Sequence, residues 1–386
     1  MRLPAILSSV PLLFSMGNAH ADFFEQFVDP TDGRMDASQW LMDNAVGFLP
    51  VPIIITDPAV GYGGGLVLAF FHENEERQNN LVEDEDPNAP LKLTPSVSGL
   101  LGLATENGTR GAGAFHMGIW KQDTIRYIGA IAGVDANIDS FRLPSDGIIG
   151  DIPIRVNLKG TYLLQQIRFR LGDSPWFAGA KYSYLDSDSE FSIGDLPDYL
   201  KPQLSMKDGG LALLLNYDTR DNSFSPNQGL YGNVSYAKHA DYFGGDKDYA
   251  IASGEFSGFS YLGGKFQGSA RLSASSAHGD TPYYALPFID MRGIPAMRYQ
   301  GERMATLQGE LRYDFGARWS GVVFGGLGQA FNADQHLGDT PNRYAKGIGF
   351  RYLMARRFNL RTGIDVARGP EDTTVHFIVG AGWSDF

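Results

Sequence analysis

The residue types that perform catalysis occur in this chain without the spacing that catalysis needs. None of the seven histidines is followed two positions later by serine, so a lipase-type His-x-Ser pair is absent, and no G-x-S-x-G nucleophile elbow occurs. There is no cysteine, which removes thiolate nucleophiles, disulfides and Cys-ligated metals. His239-Ala240-Asp241 has the acid and imidazole of a proteolytic pair but reads as a solvated loop. Glu73 to Asp86 holds seven acidic residues and one arginine, and it too reads as a solvated loop rather than a divalent-cation site. No enzymatic activity, catalytic residue, metal or cofactor is expected.

Two charged segments carry more specific patterns. The connection 279–302 contains Asp290-Met291-Arg292-Gly293-Ile294 and lies between the two most cleanly alternating stretches of the chain. Upstream, Tyr217-Asp218-Thr219-Arg220-Asp221-Asn222 leads through Pro226-Asn227-Gln228-Gly229 straight into a new strand. The alternating glycines Gly61-Gly63-Gly65 and Gly347-Gly349 open no helix, so they suit close packing against an inward-folded loop better than a phosphate cradle.

Strands of period two must position these segments. In 265–274, Phe266, Gly268, Ala270, Leu272 and Ala274 take one side, and Lys265, Gln267, Ser269, Arg271 and Ser273 the other. The stretch 305–315 sets Leu307, Leu311, Tyr313 and Phe315 against Thr306, Gln308, Glu310, Arg312 and Asp314. In 357–367, Phe358, Leu360, Ile364 and Val366 oppose Arg357, Asn359, Arg361 and Asp365. No apolar run beyond the N-terminus nears the roughly 18 residues of a membrane-spanning helix. A membrane protein of this profile must therefore span as a closed barrel, the apolar set facing lipid. The reading is all-β: a sixteen-stranded antiparallel transmembrane β-barrel with a short N-terminal periplasmic segment. Its strands are expected at 47–56, 60–72, 93–105, 110–121, 124–136, 153–171, 176–190, 207–219, 229–240, 247–261, 264–278, 303–315, 319–331, 344–354, 356–368 and 373–386. Within 153–171, Ile154, Val156, Leu158, Tyr162 and Leu164 share one parity and Ile167, Phe169 and Leu171 the other; a β-bulge near Gln165 would reconcile them.

Both termini point to the same compartment. Met1-Arg2, an apolar stretch from Leu3 to Met16 and Ala19-His20-Ala21 read as a signal peptide over 1–21. A periplasmic segment is expected over 22–46, where Asp36 caps a short helix presenting Trp40 and Leu41 to a membrane surface or the barrel mouth, and the barrel over 47–386. At the other end Val375, Phe377, Val379, Ala381 and Trp383 share a parity before a terminal Phe386, the ending of outer-membrane barrels. Pro50 and Pro52 cannot donate to a sheet ladder, so the first strand should make a weak seam with the last, around Val379 and Phe386. A formal net charge of -12 argues against nucleic acid as a partner.

The two motifs, in this order before a terminal phenylalanine, resemble the barrel domain of the bacterial surface antigen family, the superfamily of BamA and TamA outer-membrane assembly factors. The resemblance covers about 51–386. It implies that Arg292 and Gly293 tip an extracellular loop folded back into the lumen, where Arg292 pairs with acidic residues on the wall, Glu310 among them. It also implies that Asp218, Arg220, Asp221, Pro226 and Gly229 form a turn on the periplasmic side. Two departures stand out. Ile294 replaces the aromatic residue of the motif, and Gly325-Gly326-Leu327-Gly328 occupies the strand where a second acidic anchor belongs. The chain also has no room for the POTRA domains that receive clients, and so resembles a short, POTRA-less branch.

The function this implies is translocation or insertion of a protein or lipid client through the weak seam, with Arg292 locking the inward loop. An alternative is a passive channel for small anions, biased by inward Lys159, Lys265, Arg271, Arg351 and Arg361; a structural or anchoring barrel is a third reading. The partners expected are outer-membrane lipids, lipopolysaccharide, an unknown client, and the general barrel-assembly machinery for the chain's own insertion.

Overall fold

The computed structural model describes residues 27–43, 48–55, 60–72, 96–140, 154–193 and 203–383. Sixteen strands follow one another in a single sheet, each antiparallel to the next, forming a nearly closed barrel. They are β1 (Phe48–Ile55), β2 (Gly63–His72), β3 (Ser96–Thr105), β4 (Arg110–Trp120), β5 (Ile125–Ser140), β6 (Ile154–Arg170), β7 (Trp176–Ile193) and β8 (Gln203–Asp218). The second half comprises β9 (Gly229–His239), β10 (Tyr249–Gly263), β11 (Phe266–Gly279), β12 (Arg303–Asp314), β13 (Trp319–Phe331), β14 (Arg343–Ala355), β15 (Leu360–Arg368) and β16 (Thr373–Val379). One short helix, α1 (Ser38–Asp43), precedes them. Among the described residues no backbone ladder joins β1 to β16, although the two strands come together.

Alternation sorts the side chains between two environments. On the outside, Leu272, Leu307, Val323, Ile348 and Val366 stand exposed, and the register places neighbours among them side by side. Inside, Gln267, Thr306, Gln308, Arg312, Arg351 and Asp365 are buried. This is a sheet turned inside out relative to a soluble protein, apolar where it meets its surroundings and polar within. The turns after β4, β6, β10, β12 and β14 gather at one end, the short-turn end, and the long connection between β11 and β12 opens from the other, the long-loop end. Paired aromatic rings ring the short-turn end: Trp120 with Tyr127, Trp176 with Tyr217, Phe266 with Tyr313, and Trp319 with Tyr352, with centroids 4.7 to 5.5 Å apart. Such a belt suits rings with one apolar and one wet side.

Three expectations need correction. The register of β6 runs without a shift against both β5 and β7, so there is no bulge at Gln165; shifts occur instead at Tyr261/Gly263 and Leu353/Ala355. Without a bulge, Val156 faces inward at 2% exposure and Lys159 outward, beside Asp135 and Asp188 in the ladders. The reason is that β5 to β8 continue past the apolar belt, and there the outward face is polar. Lys159 is therefore not a lumen residue, and Lys265 sits exposed in the two-residue turn before β11. Finally, the last ladder ends at Val379 rather than running to the terminus. Gly380 adopts φ 88, and the chain turns inward so that Trp383, placed on the outward parity by its sequence, is 7% exposed. Phe386 lies outside the described residues, as do Glu73 to Asp86.

Candidate functional site

The connection between β11 and β12 folds into the barrel. Its backbone is held by a single 3-10 turn at Tyr283–Ala285 and a bridge between Phe288 and Gln300. At its tip Ile289, Met291, Ile294 and Tyr299 pack with Ala345 of β14 into a buried cluster. Ile294, 6% exposed, thus fills part of an apolar seat with an aliphatic side chain. Gly293 has φ 96, a conformation L side chains rarely adopt, and its N–H reaches His376 Nε2 of β16 at 3.3 Å.

Arg292 extends from this tip to the wall. Its Nη2 lies 2.8 Å from Glu310 Oε2 on β12, and its Nη1 lies 2.5 Å from Asp365 Oδ2 on β15. Asp365 is fully buried and also receives Arg351 of β14, at 2.5 Å through Oδ1 and 3.0 Å through Oδ2. Two guanidiniums and two carboxylates form one neutral cluster, which lets all four charges sit in a water-poor interior. The Arg292 guanidinium also lies 3.7 Å from the Phe324 ring centroid and 5.7 Å from that of Trp383. The glycines of β13 make room for the loop: a Cβ on Gly326 would stand 2.9 Å from Met291 Sδ, and one on Gly328 3.0 Å from Ile289 Cγ2. Gly349 clears Asp365 in the same way, its Cβ falling 1.9 Å from Oδ1. Around Gly63 and Gly65 the crowding comes instead from the β3 backbone, at 2.2 and 2.5 Å, so those glycines serve strand packing. The missing acid on β13 is thus replaced from β15. Inward parity marked Asp365 as a lumen residue, but only the fold shows that it meets Arg292.

The turn between β8 and β9 closes part of the short-turn end. Asp218 accepts from Arg220 at 2.9 Å and from Arg126 of β5 at 2.7 Å, and Arg220 lies over Tyr231 at 4.2 Å. Asp221 Oδ1 accepts from the backbone N–H groups of Asn227 and Gln228, and Gly229, at φ 111, clears the Thr219 carbonyl. Beyond these residues the turn crosses the mouth. Asn222 donates to the Phe358 carbonyl, Asn359 donates to that of Ser225, Arg312 donates to Asn227, and the Ala381 N–H donates to the Phe224 carbonyl. Pro226 and Ser225 line a small cavity together with Arg312, Arg361 and Trp383.

A second charged device was not legible in the sequence. Residues 27–43 dock beneath β12 to β15, with Trp40 stacked on Phe27 at 5.7 Å and packed with Ala355 and Phe358, at the barrel mouth. Arg318, in the turn before β13, is fully buried among three carboxylates: Asp32 at 2.9 Å, Asp29 and Asp36. Arg356 adds contacts to Asp29 at 3.1 Å and Asp32 at 2.8 Å. The hydrogen bond from Arg318 holds the Asp32 carboxyl below its ordinary 3.8 against the opposing effect of burial. For Asp36 burial pushes upward, yet hydrogen bonds from Ser38 and Arg318 outweigh it and keep this carboxyl low as well. In the sequence Asp36 reads only as a helix cap; its arginine partner lies nearly three hundred positions away.

His239 does not pair with Asp241. Its Nδ1 lies 2.6 Å from Asp208 and its ring stacks on Tyr249 at 4.3 Å, a wall cluster near the long-loop end. Pro50 and Pro52 stand opposite Leu68 and Leu66 of β2.

These features define an inward-looped, sixteen-stranded barrel of the membrane-spanning type. No family model matches the chain, and no curated protein matches it by sequence. Among solved structures it is similar to BamA from Haemophilus ducreyi lacking POTRA domains 1-3, with TM-score 0.53 and 13% identity over 86% of this chain and 69% of that one. It is also similar to CdiB from Escherichia coli (TM-score 0.54, 13% identity, 86% and 61%) and CdiB from Acinetobacter baumannii (0.52, 10%, 86% and 59%). The chain spans less than two thirds of either CdiB. The fold is the one that the motif resemblance implies.

Proposed function

We propose that this chain is an outer-membrane barrel that moves or inserts a protein or lipid client, using the junction of β1 and β16 as a lateral opening. One observation carries the reading: β1 and β16 meet without a ladder among the described residues, whereas every other neighbouring pair is laddered. Separating them breaks the fewest backbone hydrogen bonds, and Pro50 and Pro52 have no N–H to lend. The Arg292 cluster fits this scheme because it ties the inward loop to β15, which is laddered to β16 at the opening. The short-turn end and its docked segment then face the periplasm, and the end from which the inward loop opens faces the outside, in contact with lipopolysaccharide. The chain itself enters the membrane through the general barrel-assembly machinery and performs no catalysis.

A cysteine pair at Phe48 and Val379, which lie at the same end of the oppositely directed strands β1 and β16, tests this in a chain without native cysteine. Oxidation should stop client handling in cells and reduction should restore it, while small-ion conductance stays unchanged. Full activity in the cross-linked protein would reject the lateral opening and leave a passive channel as the better account.

A further inference from the structure

We propose that the lumen wall of β5, β6 and β7 holds an anion of phosphate chemistry between Arg168 and Lys181. This goes beyond the lateral opening and does not depend on it. Arg168 points into the barrel at 5% exposure, opposite Arg126 on one side and Gly179 on the other. Lys181 shares that inward face one rung away, opposite Gln166 and Ala212. Diagonal neighbours of this kind lie about 7–8 Å apart at the backbone, within reach of two long side chains.

The carboxylates nearest this wall are already engaged. Asp123 already serves Arg126 at 2.6 Å and Arg170 at 2.5 Å, and Asp218 serves Arg126 at 2.7 Å and Arg220 at 2.9 Å. Among the described residues neither of these carboxylates is left over for Arg168 or Lys181. Among the described residues neither of these two has an ion-pair partner, and Arg168 Nε is buried without a hydrogen-bond acceptor. The Arg292 cluster, where two cations meet two carboxylates, shows how the same lumen neutralises charge from its own chain. A buried guanidinium beside a half-buried ammonium without a counter-charge is unfavourable, and a bound anion removes the penalty. The planar fork of Arg168 beside the compact ammonium of Lys181 suits a tetrahedral oxyanion, which offers separate oxygens to each. Inorganic phosphate and the phosphate of a lipid headgroup share that chemistry.

The test uses the purified full chain in detergent, with unfolding followed by heating at constant ionic strength. Replacing chloride by inorganic phosphate should raise the unfolding temperature saturably, and Lys181→Gln should weaken the apparent affinity about tenfold. Dihexanoyl phosphatidic acid below its micellar concentration serves as the headgroup probe; a response to it alone assigns the site to lipid, and a response to both assigns it to the shared group. In phosphate-free buffer Lys181→Met should be at least as stable as the parent, because an uncompensated cation is lost, and saturating phosphate should reverse the order. A linear or variant-independent response to both probes would overturn the proposal. So would marked destabilisation of Lys181→Met without phosphate, since the lysine would then be paired within the chain. Arg168→Lys, which keeps the charge, should retain binding and guards against a folding artefact.

Discussion

Arg292 and Asp365 meet at 2.5 Å across the lumen although 73 positions separate them in the chain. The contact joins the tip of an inward loop to β15, one strand in from the open junction. Asp365 divides its oxygens between Arg292 and Arg351, so the loop and two wall strands share one buried carboxylate.

Removing one member of that cluster should be costly and removing two less so. Arg292→Ala strands Asp365 and Glu310 with Arg351 alone and should destabilise the barrel by about 3–5 kcal/mol. The double variant Arg292→Ala with Asp365→Asn should lose less than the sum of the singles, read by urea unfolding on a heat-modifiable gel shift. Strict additivity would mean the two residues do not interact.

The glycine seat makes a separate prediction. Gly326→Leu drives a side chain into Met291, and Gly328→Val into Ile289, so either should loosen the loop without touching a charge. A cysteine at Ile294, shielded from a bulky impermeant maleimide in the parent background, should label faster in both. Equal labelling rates would show that the loop does not depend on these contacts.

The aspartate clasp should respond to acid. Asp32 and Asp36 titrate lower when folded than the ordinary 3.8, so their contribution is complete above that value and fades as pH falls below it. Protease digestion of residues 27–43 should accordingly be slow at pH 6 and rapid near pH 3. Arg318→Ala, which leaves three carboxylates facing one another, should reproduce the rapid digestion at pH 6. Slow digestion of that variant would assign the docking to Trp40 and its apolar neighbours.

Orientation can be read from Lys159. On the outward face of β6 beyond the apolar belt, at the long-loop end, Lys159→Cys should react with an impermeant reagent on intact cells, and Arg361→Cys, inside the barrel near the short-turn end, should not. The reverse pattern would invert the assignment of the two ends.

Several strands could be read from alternation, because each has only two faces and the environments differ sharply, and the count of sixteen followed from the turns between them. Glu310 and Arg292 could be named because one lies on a clean alternating strand and the other in a motif. The bulge at Gln165 failed for a physical reason: alternation reports which face is wet, and along β6 the wet face changes sides where the strand leaves the apolar belt. Trp383 failed because a single φ of 88 at Gly380 redirects the chain, and a glycine among glycines gives no warning. Arg318 was invisible because a turn arginine looks solvated until a distant segment covers it.

Strand length varies around the barrel, from 18 residues in β7 to 7 in β16, with 8 in β1. At about 3.3 Å per residue and a tilt of about 40°, the wall stands about 45 Å tall on one flank and about 18 Å on the other, against an apolar band of about 25 Å in barrels of this class. In a bilayer the two flanks meet different thicknesses of hydrocarbon. Lipids beside β16 and β1 must shorten or splay to match, at fractions of a kcal/mol per ångström, so the surrounding leaflets are most easily disordered on that side.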